Sequence, residues 1–87
     1  MAERPKMPVP LGEWTPDDLC EEIREWARSQ GYDYQMAPHG SEYGKIIVRD
    51  PNGGHTITVV PNPHQGRRLK KNQVRYTVKG INQNWEV

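Results

Sequence analysis

The residues best placed to do chemistry form a basic run near the C-terminal end: Arg67, Arg68, Lys70 and Lys71, continued by Arg75 and Lys79. Six cations within thirteen residues can contact several phosphates, and such binding weakens with salt by a slope of about −0.9 per phosphate neutralised on duplex DNA. The histidines are the other candidates. His39, His55 and His64 stand 16 and 9 residues apart. Those spacings match no common ligand motif, so no metal site or other cofactor is implied. His55 opens a β-branched run; pointing inward it would be a satisfied core histidine, pointing outward a candidate catalyst. His64 lies on a loop beside the basic run. There it is either a phosphate ligand or general base, or a plain solvent-exposed residue. The lone Cys20 excludes an internal disulfide and a multi-cysteine zinc site, and reads as a buried free thiol.

These residues need elements to position them. Met1 to Gly12 carries Pro5, Pro8 and Pro10 without periodicity and reads as an extended or disordered arm over residues 1–12. A helix start follows. Thr15 is a good N-cap, Pro16 fits the first helical position, and Trp14 and Leu19 can form a hydrophobic staple. Leu19, Ile23, Trp26 and Ala27 keep the helical stripe and Gly31 supplies a left-handed stop, which predicts a helix from Pro16 to Gln30. Tyr32 to Gly40 is turn-rich, with Tyr32 and Tyr34 alternating as in a short strand. Tyr43 to Arg49 and His55 to Val60 read as strands around the turn Asp50-Pro51-Asn52-Gly53-Gly54. In the second, His55, Ile57 and Val59 share one face and Thr56, Thr58 and Val60 the other. After Asn72 the pattern fits two elements and leans to a strand. Val74, Tyr76 and Val78 alternate as in a strand, while Val74, Val78 and Ile81 are spaced as in a helix, which Gly80 would weaken by about 1 kcal/mol. Residues 83–87 form a tail, with Trp85 exposed or docked.

The chain has 87 residues, 33% of them hydrophobic and 26% charged, with a mean hydropathy of −0.98. One small domain with a thin core fits this length, over residues 13–82. No apolar run approaches the roughly 18 residues of a membrane span, and no apolar stretch follows a basic N-terminus. These features point to a soluble protein of the cytosol, or of a virus or phage acting there. The formal net charge of +1 hides an asymmetry. Residues 1–42 hold nine acids and four bases, a net −5, whereas residues 43–87 hold eight bases and two acids, a net +6. A polarised domain of this kind either offers phosphate a basic face or sets a solvated basic helix beside an acidic one.

From Trp14 to Ile81 the chain resembles the HicA family of small toxins, the mRNA interferase partners of HicB antitoxins. The likeness rests on Gly44-Lys45-Ile46-Ile47-Val48, Pro51-Asn52-Gly53, Ile57-Thr58-Val59-Val60-Pro61, His64-Gln65-Gly66 and Leu69-Lys70-Lys71-Asn72-Gln73-Val74-Arg75. It implies a fold similar to a double-stranded RNA-binding domain: α+β in the order α-β-β-β-α, an antiparallel three-stranded sheet with two helices on one face. It also implies a helix, not a strand, over Asn72–Ile81. The family's catalytic histidine follows a Gly-Ser pair, but Gly40-Ser41 is followed here by Glu42. Aligned on the hairpin turn instead, the position falls on Lys45, a donor suited to phosphate and a poor base at neutral pH. The chain therefore either cleaves RNA with other groups, His55 or His64, as a metal-independent endoribonuclease, or keeps an RNA-binding shape without the chemistry.

The resemblance implies an RNA-binding protein of a toxin–antitoxin system or phage. Lys45, Arg67, Arg68, Lys70, Lys71, Arg75 and Lys79 would lie on the nucleic acid, and a HicB-like antitoxin or host protein would be the partner. A protein-binding module, such as a phage-encoded inhibitor of a host protein, is the other reading; the acidic first helix, the proline arm and Trp85 would make its contacts.

Overall fold

The computed structural model describes residues 4–11, 14–62 and 68–87. Its elements run α1 (Pro16–Ser29), β1 (Asp33–His39), β2 (Tyr43–Arg49), β3 (His55–Pro61) and α2 (Lys71–Gln83). The strands form one antiparallel sheet in the order β1-β2-β3. This is the α+β order the sequence implies, with both helices on one face.

Local chemistry sets the ends of these elements. The Thr15 hydroxyl accepts the Asp18 N–H at 3.2 Å and caps α1. Gly31, with φ of 78°, takes the left-handed conformation that ends the helix. In the β2–β3 turn the Asp50 carboxylate accepts the Asn52 N–H at 2.9 Å, an Asx turn that Gly53 completes at φ 102°. The β1 segment, with its weak alternation and Pro38, pairs with β2 over its whole length. A proline is tolerated there because β1 is an edge strand.

Alternation divides the sheet into two faces. Ile46 and Val48 of β2 and Thr56, Thr58 and Val60 of β3 face the helices and are buried. They close on Leu19, Ile23 and Ala27 of α1 and Val74, Val78 and Ile81 of α2. The threonine side of β3 is thus the inner one, and α2 explains why. Thr56 Oγ1 donates to the Gly80 carbonyl at 3.2 Å, Thr58 Oγ1 to the Thr77 carbonyl at 2.9 Å, and Thr77 Oγ1 to the Val59 carbonyl at 3.1 Å. A row of hydroxyl bonds therefore lies inside a helix–strand contact, and no buried polar side-chain atom is left unpartnered among the described residues. Gly80 permits the approach: a Cβ there would sit 2.9 Å from the Thr58 Cβ. The glycine that weakens the helical pattern is what lets α2 lie this close.

Residues 4–11 carry no helix or strand, yet they are anchored. Met7 is 3% exposed within the core, and its backbone N–H and C=O bond the Asn82 carboxamide at 2.8 and 2.9 Å. Arg4 pairs with Asp50 and lies 4.3 Å from the centroid of the Trp85 ring. Trp85 in turn meets Tyr32 edge-on at 5.3 Å, and Tyr32 meets Trp26 at 5.8 Å. The tail residue Trp85 is therefore docked. No helix among the described residues is long and apolar enough to cross a membrane.

Candidate nucleic-acid interface

Helix α2 carries Lys71, Arg75 and Lys79 and no acidic residue. Its inner face is fixed by Val74, Thr77, Val78 and Ile81, so these three cations stack at i, i+4 and i+8 on the exposed side. Ahead of the helix, Arg68 and Lys70 are also exposed. Lys70 stands at the N-cap and offers the helix no hydroxyl or carboxylate cap; the Gln73 carboxamide at N3 reaches back to accept the Lys70 backbone N–H at 2.9 Å. Lys70 and Lys71 add positive charge to the positive end of the helix dipole, an arrangement unfavourable to the helix by itself and favourable once an anion is present.

The anchored arm makes the second wall. Between it and α2 lies a cleft of about 480 Å³, lined by Lys6 and Val9 from the arm and by Arg75, Tyr76 and Lys79 from α2, with the amides Asn72, Asn82 and Gln83 at its margin. Tyr76 is 69% exposed. Lys6, Arg75 and Lys79 form no ion pair with any described carboxylate. On the arm's other side, a second groove meets Glu22, Glu25, Trp26 and Ser29 of α1. The arm thus runs between an acidic helix and a basic one. The charge asymmetry of the sequence becomes two separate strips of one surface.

The other sequence-derived residues fall elsewhere. Lys45 alternates with the buried Ile46, so it lies half-exposed on the open face of the sheet, opposite to α2. His55 is on that open face too, not in the core. Its backbone exchanges two hydrogen bonds of 2.8 Å with Glu86, and its Nε2 lies 3.9 Å from the Glu86 carboxylate. His39 is exposed at the far end of β1, paired with Tyr43. Six strand positions separate its row from that of His55, about 20 Å along the sheet. The two rings cannot act on one bond. His64 and Arg67 lie outside the described residues. Among the described residues no group of three or more His, Cys, Asp or Glu side chains could hold a metal ion. Cys20 is a free thiol on α1, half-buried and not fully buried as the sequence suggests. Burial raises its pKa, and burial likewise lifts the neighbouring Tyr34 phenol above its ordinary range.

Lys6 and Tyr76 belong to the cleft but not to the basic run. Tyr76 was visible in the helical pattern, as the one aromatic on the polar stripe Asn72, Tyr76, Lys79 and Gln83. Lys6 carries no such signal, because only the docking of Met7 brings it to α2. In comparison with known proteins, no family model matches the chain, and neither does any curated protein or solved structure.

Proposed function

We propose that this chain is a HicA-like RNA-binding protein of a toxin–antitoxin system or phage, acting in the cytoplasm and holding RNA on the exposed side of α2. One observation carries the reading: an acid-free helix presents a row of cations, and an anchored arm adds Lys6 beside them. The element order α-β-β-β-α agrees with the resemblance. His39 and His55, the two described histidines, lie about 20 Å apart, and neither adjoins α2.

The test is RNA binding by the purified protein across a salt series. Retention at low salt with a steep loss as salt rises is expected, and the joint change Arg75→Ala and Lys79→Ala should flatten the slope by about 1.4 to 1.8. Incubation with total RNA, beside His39→Ala, His55→Ala and His64→Ala, separates binding from chemistry. Intact RNA throughout fits a binding protein; cleavage lost in one variant would mark an interferase with a relocated histidine.

The second reading, a protein-binding module for a host or antitoxin protein, draws on the open face of the sheet. Tyr43, Ile57 and Val59 are exposed there around Lys45. No RNA binding at low salt would favour it.

A further inference from the structure

We propose that the cleft between the arm and α2 seats an unpaired nucleotide of single-stranded RNA, with its base on the Tyr76 ring and flanking phosphates on Lys6, Arg75 and Lys79. The inference rests on the RNA-binding reading and adds the form of the ligand and the group that grips the base.

Size comes first. A volume of about 480 Å³ falls in the range of small-ligand sites, about 300–1,000 Å³. It accommodates one nucleotide, not a double helix. The reach of the cations agrees. Lys71 to Lys79 rises about 12 Å along the helix axis, and the three residues back to the exposed Arg68 add at most about 10 Å, whereas a domain that reads duplex RNA by shape spans about 16 base pairs across two minor grooves. The remaining strand cations, Lys45 and Arg49, point away from the helical layer and cannot extend the patch to that span.

Tyr76 decides between the two forms. A lone exposed aromatic is ordinary on a protein surface. This one stands between two cations of its own helix and faces a third from the arm, and none of the three has a described carboxylate partner. A ring in such a setting offers a stacking platform with phosphate contacts on both sides, which is how single strands are held without sequence preference. A duplex keeps its base faces stacked on one another and has none to offer the ring.

The arm is built to hold its side of the cleft. The Asn82 carboxamide engages both backbone groups of Met7, Met7 is sunk in the core, and Arg4 is clamped to Asp50 and Trp85. Lys6 sits between those anchors, with Pro5 and Pro8 limiting the backbone on either side. Its ammonium is presented by a fixed segment.

The experiment measures fluorescence anisotropy of a labelled single-stranded RNA of about 10 nucleotides and of a duplex of about 16 base pairs, at low salt. It compares wild type with Tyr76→Ala, Tyr76→Phe and Lys6→Ala. Thermal unfolding of each variant checks that the fold is intact; Tyr76 and Lys6 are both exposed, so little change is expected. The single strand should bind more tightly than the duplex. Tyr76→Ala should weaken the single strand about 5- to 150-fold and leave the duplex unchanged, while Tyr76→Phe, which keeps the ring, stays near wild type. Lys6→Ala should lower the single-strand salt slope by about 0.7. Single-strand binding that Tyr76→Ala does not alter, or a preference for the duplex, overturns the nucleotide seat and leaves RNA binding standing. No binding of either RNA overturns both.

Discussion

Replacing Gly80 by alanine sets two physical effects against each other within one residue. On helix propensity alone, alanine stabilises the interior of α2 by about 1 kcal/mol. The tertiary contact opposes it. The new Cβ would stand 2.9 Å from the Thr58 Cβ and 3.4 Å from Asn84 Nδ2. Thr58 cannot swing aside cheaply. It is β-branched, its hydroxyl is committed to the Thr77 carbonyl at 2.9 Å, and it is buried. So α2 must lift from β3. Overpacking of this kind costs about 1–3 kcal/mol, and stretching the bonds from Thr56 and Thr58 removes up to about 1 kcal/mol each. The net expectation is a loss of about 2 kcal/mol. For a domain of this size that lowers Tm by roughly 10 °C. Urea unfolding followed by tryptophan fluorescence gives the same quantity as a lower midpoint at constant m-value. A Thr58→Ala background removes the hydroxyl and one methyl from the contact, so Gly80→Ala should be milder there, with a coupling of about 1 kcal/mol. A Gly80→Ala protein as stable as wild type, or stabler, would refute the close approach of α2 to β3.

Met7→Ala should destabilise the domain by about 2 kcal/mol or more, because a core side chain is truncated; an unchanged urea midpoint would show that the arm does not dock. Lys45→Ala should leave RNA affinity and its salt slope near wild type, since Lys45 lies across the sheet from α2; a loss equal to that of Arg75→Ala would place the RNA on the open face instead. The Asn52 N–H and the Arg4 guanidinium hold the Asp50 carboxyl below its ordinary value. Its stabilising contribution is therefore complete above the unfolded value of about 4 and is lost as pH falls through the folded one. Asp50→Asn should flatten the acid limb of midpoint against pH, and a limb of wild-type steepness would speak against the Arg4–Asp50 anchor. The Tyr34 phenol, half-buried beside Cys20, Arg24 and Glu21, is shifted upward, chiefly by desolvation. Its contribution is complete below about pH 10 and is lost as pH rises through the folded value, so Tyr34→Phe should flatten the alkaline limb; an unaltered limb would mean the phenol is solvated.

Much of this fold is written in short-range chemistry. Thr15, Pro16 and the Leu19, Ile23, Ala27 stripe suffice for α1, because capping and helical periodicity act within a few residues. The Asp50–Gly54 turn and its flanking runs suffice for the hairpin. Other features needed the assembled chain. A two-residue period says that Thr56, Thr58 and Val60 share a face, but not that this face is the inner one; the choice falls to α2, whose carbonyls satisfy the threonine hydroxyls. The pattern after Asn72 leans to strand, and packing against β3 makes it a helix despite Gly80. The candidate site divides in the same way. Arg75 and Lys79 could be placed on one exposed face once α2 was a helix, since i, i+4 spacing fixes that. Lys6 could not, since it meets them only through Met7 and Asn82, 75 residues apart in sequence. Lys45, which the resemblance groups with the basic run, and the two described histidines are set apart from α2, because alternation and register, not sequence distance, decide which side and which end of a sheet a side chain occupies.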